Sequence, residues 1–143
     1  MRKLISIVVP VYNEEDNIEV FYNAVKKAMS ALEYDYEIIF VDDGSRDKSA
    51  YLLNDLTERD SRVKFIMLSR NFGHQIALTC GMDNAEGDAV ITMDGDMQHP
   101  PAMLPDLIKF WEDGFELVQT IRLSTEGVGY FKKLTSKLYY RLI

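Results

Sequence analysis

The chain has 143 residues, 47% of them hydrophobic, so it can bury a core, and its length calls for no second domain. The formal net charge of -7 argues against a general nucleic-acid binder, because such proteins hold phosphates on basic surfaces. A single cysteine, Cys80, excludes an internal disulfide and suits a reducing compartment. No apolar run approaches the roughly 20 residues that span a bilayer, so we expect this chain to be soluble.

The predicted elements alternate between strands and helices. Leu4 to Val11 is an apolar run of strand length, and a helix follows with apolar residues at Ile18, Tyr22, Val25, Met29 and Leu32. Further strands are predicted at Tyr36–Val41, Val63–Leu68 and Asp88–Met93, with helices around Leu52–Leu56 and Ile76–Met82. Pro100 and Pro101 open a helix running to Trp111, and Gly114 precedes a fifth predicted strand, Phe115–Thr120.

This order of elements predicts an α/β fold around a mostly parallel sheet, because buried strands separated by helices are joined by right-handed crossovers. In such sheets ligands gather beyond the carboxyl ends of the strands. The candidate site residues are therefore those that follow the predicted strands: Tyr12, Asn13 and Glu14; Asp42, Asp43 and Gly44; Arg70 and Asn71; Asp94, Gly95 and Asp96; and Arg122.

Two common nucleotide-binding turns are absent from the sequence. Dinucleotide-binding dehydrogenases need a Gly-x-Gly-x-x-Gly turn after the first strand, whereas this chain has Glu14 and Glu15 there, and carboxylates would repel a pyrophosphate. A P-loop is excluded because no Gly-Lys-Ser/Thr occurs. Receiver domains and Asp-x-Asp phosphatases carry their acids after the first strand, not after the second as Asp42 and Asp43 do.

The Asp94-Gly95-Asp96 turn places two carboxylates two residues apart directly after a strand, so both can reach one divalent ion. Oxygen ligands suit Mg²⁺ or Mn²⁺, and such an ion can bridge a diphosphate. Gln98 can complete the ligand shell. A solvated acidic turn is the alternative interpretation, because an isolated Asp-x-Asp is a weak signal.

Other polar residues suggest how a nucleotide is held. Asp42 and Asp43 end a buried strand, where a nucleobase N–H can partner a carboxylate. The alternative is that Asp43-Gly44-Ser45 forms a turn and cap for the following helix, and both can hold, with Asp42 binding and Ser45 or Asp47 capping. Arg70 and Arg122 can bind phosphate or form surface ion pairs. His74 follows Gly73 at a helix start that can receive a phosphate or be capped.

Together three stretches resemble the inverting GT-A glycosyltransferases: 7–15, 41–47 and 93–96. The stretches 70–75 and 94–101 narrow the resemblance to the polyprenyl-phosphate branch, which includes dolichyl-phosphate mannose synthases and bacterial undecaprenyl-phosphate glycosyltransferases. This resemblance implies a Rossmann-like three-layer GT-A sandwich of the nucleotide-diphospho-sugar transferase type. It also implies that residues 1–143 form one donor-binding domain, the amino-terminal part of a longer enzyme.

The resemblance implies specific roles for the strand-end residues. Pro10, Tyr12, Glu14 and Asp42 would hold the nucleoside of a UDP- or GDP-sugar, and Asp94, Asp96 and Gln98 would lie at the metal and the diphosphate. Arg122 would approach the donor or acceptor phosphate. Asp96 and Arg122 are therefore the two candidate catalytic residues. The expected reaction inverts the sugar's configuration as it passes to a lipid phosphate.

The segment 130–143 places basic residues among aromatic and leucine residues, which is the pattern of an interfacial amphipathic helix. A basic helix packed on its own sheet is the alternative. With the family context we expect a membrane-anchored enzyme at the cytoplasmic face of a membrane. Transfer to a saccharide hydroxyl in capsule or cell-wall synthesis, and a nucleotide-sugar-binding module without turnover, remain the competing functions.

Overall fold

The computed structural model of the chain describes residues 2–120. Arg122 and the segment 130–143 lie outside these residues. Within the described part the strands are β1 Leu4–Val11, β2 Asp35–Asp42, β3 Val63–Met67 and β4 Ala89–Thr92. The helices are α1 Ile18–Met29, α2 Ser49–Arg59, α3 His74–Asp83 and α4 Leu104–Glu112, and a short 3-10 helix, Pro101–Met103, precedes α4. The first four predicted strands and all the predicted helices are confirmed, although the first helix ends at Met29, before the predicted Leu32.

The fifth predicted strand is wrong. Residues 115–120 face β4 across a cavity of about 470 Å³ but do not pair with it. A strand needs a ladder of backbone hydrogen bonds to a neighbour, and an apolar run supplies only its side chains. Without that ladder the segment stays irregular and Leu117 is 85% exposed.

The sheet is parallel and has the strand order β3-β2-β1-β4. The chain therefore moves outward from β1 to β3 and then returns to the other side of β1. The strand order reverses between β1 and β4, and such a switch point opens a crevice beyond the carboxyl ends of the two strands. In the register, the last residues of β1 and β2, Val11 and Asp42, lie opposite each other, whereas β4 ends at Thr92, opposite Val8.

The helices cover both faces of the sheet, as the predicted three-layer architecture requires. On one face α1, α2 and α4 enclose the larger core, in which Phe21, Phe40 and Leu104 are fully buried. On the other face α3 packs on β1 and β2, with Ala77 against Val8. Burial on both faces explains why β1 and β2 read as continuous apolar runs.

A buried polar cluster lies at the amino-terminal edge of the sheet, away from the switch-point crevice. Glu37, on β2, accepts hydrogen bonds from the Ser6 hydroxyl and the Glu86 N–H (2.9 Å) and forms an ion pair with Lys64 (2.7 Å). Burial raises the pKa of Glu37, but these hydrogen bonds outweigh it and hold the pKa below its usual range. The carboxylate is therefore stabilised in its charged form.

Within residues 2–120, none of the helices combines the length and the apolar character needed to cross a bilayer.

Candidate functional site

A cavity of about 420 Å³ opens at the switch point between β1 and β4, where the topology places a ligand crevice. Its walls come from the segments that follow the four described strands and from the start of α3. The lining residues are Pro10, Val11, Tyr12, Glu14, Asp43, Asn71, Gly73, His74, Ala77, Asp94, Gly95 and Asp96. The structure thus brings together residues that are distant in sequence, and we call this space the first cavity.

A second cavity of about 380 Å³ lies beside it, over the carboxyl ends of β2 and β3. Tyr12 and Asn71 line both cavities, whereas Asp42, Gly44 and Arg70 line only the second. The two spaces are therefore neighbours separated by a shared wall. Together they offer an elongated ligand two compartments of different chemistry.

The loop after β1 is fixed by the loop before α2. The Asn13 N–H donates to the Ser45 hydroxyl (2.9 Å), and the Arg46 N–H donates back to the Asn13 side chain (2.8 Å). The Glu14 N–H donates to the Ser49 hydroxyl (2.9 Å). Asn13 has a φ of 53°, a conformation that asparagine tolerates better than most residues. Asn13 is not among the residues lining either cavity, and its observed contacts hold Tyr12 and Glu14 in place.

Asp47 also connects the loop after β1 to the start of α2. Its carboxylate accepts the Ser49 N–H (2.9 Å) in the first turn of α2 and the Glu15 N–H (3.1 Å). Burial raises the pKa of Asp47, but the hydrogen bonds from Ser49 and Glu15 outweigh it and lower the pKa. Of the two helix-cap candidates, Ser45 and Asp47, it is Asp47 that accepts this first-turn N–H, because the Ser45 side chain is bonded to Asp42.

Asp42 is almost fully buried at the end of β2, and its Oδ1 accepts hydrogen bonds from the Ser45 N–H (3.1 Å) and the Ser45 hydroxyl. Asp42 therefore stabilises the turn that follows β2. A carboxylate has about four acceptor sites, so these bonds leave capacity for a ligand in the second cavity that Asp42 lines. Its predicted role in binding a nucleobase stays a prediction.

Asp43 is bonded to a different loop. Its Oδ1 accepts the Phe72 N–H (2.7 Å) and its Oδ2 accepts the Gly73 N–H (2.9 Å). Its neighbour Gly44, with a φ of 73°, lies so close to this loop that a Cβ there would sit 2.6 Å from the Arg70 carbonyl carbon. The end of β2 and the loop before α3 are therefore held together by hydrogen bonds and by close backbone packing.

The Asp94-Gly95-Asp96 turn forms the far wall of the first cavity. Asp94 has a histidine near each oxygen, with His74 Nε2 at 3.6 Å and His99 Nδ1 at 3.9 Å. Asp96 accepts the Gln98 N–H (3.0 Å), which tightens the turn. Gln98 is not among the residues lining the first cavity.

The donor atoms of this turn fit a hard divalent cation. No group of three His, Cys, Asp or Glu side chains in residues 2–120 is arranged as a complete protein site. Mg²⁺, however, is usually held by one or two carboxylates together with substrate phosphates and waters. Asp94 and Asp96 on one cavity wall match that pattern, so the ion would bind together with a phosphorylated ligand.

Arg70 lies on the second cavity and its guanidinium stacks over the Phe72 ring, 4.8 Å from the ring centre. Val11, Ala77 and Ser69 also line the cavities but were not predicted, because small and apolar side chains carry no recognisable chemical pattern. Ser49 was also missed, although a serine in the first turn of a helix is a common partner for a nearby backbone N–H.

A family model described as "Glycosyl transferase family 2" matches residues 6–143. Among curated proteins, the chain is 46% identical over 138 residues to the "uncharacterized glycosyltransferase YkcC" of Bacillus subtilis, covering 96% of this chain and 43% of that protein. It is 41% identical over 138 residues to the "bactoprenol glucosyl transferase" of Shigella phage SfV, covering 96% of this chain and 45% of that protein.

Solved structures show the same fold. The "mannosyltransferase PcManGT from Pyrobaculum calidifontis in complex with GDP-Man and Mn2+" superimposes with a TM-score of 0.67 at 22% identity, over 80% of this chain and 34% of that one. S. aureus TarS gives 0.61 at 21% identity, over 90% and 38%. These neighbours are GT-A glycosyltransferases, so the predicted fold class is confirmed.

The chain belongs to Glycosyl transferase family 2. It spans less than half the length of the curated relatives it matches, 43% and 45% in the two cases above.

Proposed function

We propose that this chain carries the donor-binding part of a glycosyltransferase that moves a sugar from a nucleoside diphosphate to a polyprenyl phosphate, with inversion at the sugar. The observation that carries the proposal is the pair of adjoining cavities, one lined by the buried Asp42 and the other by Asp94 and Asp96. A nucleotide-sugar needs two such compartments, because its base is a hydrogen-bonding aromatic and its diphosphate is an anion.

The nucleoside belongs in the second cavity under this proposal. Tyr12 offers an aromatic face and Asp42 a carboxylate acceptor for the ring N–H of uracil or guanine. Pro10 and Glu14, on the first cavity, continue the wall toward the ribose. Asn71 lines both compartments and so lies where the base side gives way to the diphosphate side.

The diphosphate belongs in the first cavity. Asp94 and Asp96, with Gln98 from the same turn, would hold Mg²⁺ or Mn²⁺, which neutralises the charge of the departing nucleoside diphosphate. Gly73 and His74 bring the start of α3 to the same cavity, where helix N–H groups favour an anion. Asp96 is accordingly proposed as a catalytic residue through the metal that it would hold, and Arg122 is proposed as a second catalytic residue, at the donor or the acceptor phosphate.

Inversion follows from attack on the face of the sugar opposite the diphosphate. An acceptor phosphate oxygen forms a bond to the anomeric carbon while the bond from that carbon to the diphosphate breaks. The phosphate is already ionised at neutral pH, so this transfer needs no strong general base, whereas a saccharide hydroxyl would need one. Support for a lipid acceptor comes from relatives named bactoprenol glucosyl transferase at 41% identity.

A lipid acceptor would require the enzyme to work at a membrane. We propose that the protein works at the cytoplasmic face of a membrane, where a nucleotide-sugar and a polyprenyl phosphate can meet. The basic and aromatic segment 130–143 is a proposed contact with the anionic surface.

Calorimetry tests the donor site. UDP, UDP-glucose, GDP and GDP-mannose are titrated into the protein with and without Mn²⁺, and into Asp96→Ala and the charge-matched control Asp113→Ala, which alters the exposed end of α4. We expect binding of either the uridine or the guanosine nucleotides, with an affinity that increases when Mn²⁺ is present. Asp96→Ala should abolish this metal-dependent binding, and Asp113→Ala should not. Absence of binding by the folded wild type, or equal loss in both variants, refutes the proposed site.

Product analysis tests the acceptor. The protein is incubated with the donor it binds and with either undecaprenyl phosphate or a saccharide. We expect a glycosyl lipid phosphate of inverted configuration. Transfer only to the saccharide would identify the alternative transferase, and binding without transfer to either acceptor would indicate a nucleotide-sugar-binding module.

A further inference from the structure

We propose that Met97 is a positioning residue: its left-handed backbone and its side chain in the core hold the neighbouring Asp96 in the orientation in which Asp96 binds a metal ion. Met97 is not among the residues that line the first cavity, so it acts through Asp96. This inference rests on the proposed function, because the residue that is positioned is the proposed metal ligand.

The backbone of Met97 has an uncommon conformation. Its φ is 62°, and the non-glycine residues of 2–120 with a positive φ are Asn13 and Met97. Asparagine tolerates this region, whereas the Cβ of a long side chain such as methionine is crowded there against the following carbonyl oxygen. Such conformations persist only where the surrounding structure holds them, and they are concentrated at functional sites. Another part of the structure must therefore hold Met97.

The side chain of Met97 provides this hold. It is partly buried and packs against the larger core. Met93, at the other end of the same turn, is only 5% exposed and belongs to the same core. Asp94 and Asp96, which lie between the two methionines, line the first cavity instead. The acidic turn is therefore attached to the core at both ends, while its carboxylates face the cavity.

The conformation of Met97 affects the Asp96 carboxylate directly. Met97 lies in the bend that follows Asp96, and the Gln98 N–H donates back to Asp96 Oδ1 (3.0 Å). This bond orients the carboxylate, which still has acceptor capacity for a cation. A change of φ at Met97 to a negative value would turn the Gln98 N–H away from Asp96. The carboxylate would then lose the bond that orients it.

Three substitutions separate the side chain of Met97 from its backbone. Met97→Leu keeps an apolar side chain for the core and keeps the cost of the left-handed conformation. Met97→Ala keeps that cost but removes the packing that offsets it. Met97→Gly also removes the packing, but glycine adopts positive and negative φ about equally. Met29→Ala is the matched control, because it removes the same atoms from the same core at the end of α1.

Two measurements follow the effect in the full chain. Amide hydrogen exchange at Gln98, in the protein without ligand, reports the bond to Asp96. Calorimetry with UDP and GDP, with and without Mn²⁺, reports the effect on binding. Urea unfolding confirms that each variant is folded.

In Met97→Ala the left-handed conformation should become about tenfold less populated, because its cost is no longer offset. The affinity for the nucleoside diphosphate with Mn²⁺ should fall by about the same factor, since only the competent fraction binds. Met97→Gly should lose about twofold, because half of its population stays left-handed. Met97→Leu should bind as the wild type does. Affinities without Mn²⁺ should not change, and exchange at Gln98 should be fastest in Met97→Ala, then in Met97→Gly.

A role in core packing alone predicts a different order. Glycine would then be no better than alanine at position 97, and Met29→Ala would weaken Mn²⁺-dependent binding as much as Met97→Ala does. Either result, or unchanged exchange at Gln98 in Met97→Ala, would overturn the proposal. Should Met97→Ala not fold, the other two variants decide: a loss of tenfold or more in Met97→Gly, or an equal loss in Met97→Leu, would overturn it.

The Asp96→Ala background shows whether Met97 acts through Asp96. Met97→Ala should cause no further loss of nucleotide affinity in that background, because the residue that Met97 positions has been removed. A further loss there would mean that Met97 affects the ligand by another route, and would overturn the proposal.

The proposed function can fail separately. If the folded wild type binds no nucleotide with or without Mn²⁺, the donor site is refuted. The role of Met97 is then judged without ligand, from exchange at Gln98 and from the carboxyl ¹³C signal of Asp96. A signal that shifts in Met97→Ala but not in Met97→Leu would support the positioning role, and an unchanged signal in Met97→Ala would refute it.

Discussion

Gly44 is the residue at which the cavity wall is most sensitive to one added atom. Its φ of 73° is a left-handed conformation that costs alanine about 1–2 kcal/mol. A Cβ would also lie 2.6 Å from the Arg70 carbonyl carbon and 2.7 Å from the Asn71 nitrogen. Backbone atoms cannot turn aside as a flexible side chain does, so overlap of this kind adds about 1–3 kcal/mol. Gly44→Ala should therefore lower the free energy of unfolding by about 2–5 kcal/mol.

Gly114→Ala is the matched control for this prediction. Gly114 also has a positive φ, of 95°, but a Cβ there meets nothing within 4 Å among the described residues. Urea unfolding measures the free energy of unfolding of both variants. The extra loss of unfolding free energy in Gly44→Ala is then the cost of the steric overlap. Because the displaced Asn71 borders both cavities, nucleotide binding should also weaken in Gly44→Ala only. A Gly44→Ala protein as stable as Gly114→Ala, with wild-type nucleotide affinity, would show that the two loops do not approach as described.

Two further predictions concern carboxylates whose pKa values lie below their usual range. Because the folded protein lowers the pKa of Glu37, its stabilising effect should be complete above the unfolded pKa, about 4.3, and lost as the pH falls through the lower folded value. Urea unfolding from pH 7 to pH 3 should therefore show a weaker pH dependence in Glu37→Gln than in the wild type, and parallel curves would contradict this role. Asp47→Ala should lower the free energy of unfolding by about 0.5–2 kcal/mol and speed amide exchange at Ser49 and Glu15; unchanged exchange at both would rule out the capping role.

Periodicity determined most of the fold, because burial on both faces leaves a direct pattern in sequence. The continuous apolar run of β1 is confirmed to the residue at Leu4–Val11, and the helical spacing from Ile18 to Met29 matches α1. The segment 115–120 shows the limit of the same reasoning. Its composition suits a strand, but pairing depends on whether a neighbouring backbone is within reach, and no local pattern records that.

The rule that ligands gather at strand ends also predicted where the candidate site lies. It selected Tyr12, Asn71, Asp94 and Asp96, all of which line the first cavity. It did so because the carboxyl ends of parallel strands meet at one edge whatever the strand order. The resemblance to inverting GT-A enzymes implied roles for these residues, and membership of Glycosyl transferase family 2 is confirmed.

Only the tertiary structure distinguished the two adjacent aspartates at the end of β2. In sequence Asp42 and Asp43 are neighbours of the same type, and either can be a cap or a ligand. In the fold one bonds to the next turn and the other reaches the loop before α3. Alternate residues of a strand point to opposite faces, and which partners wait on each face depends on loops distant in sequence. Local sequence therefore determines the kind of chemistry at this edge, while the assembled sheet decides which loop each carboxylate bonds to and which cavity it lines.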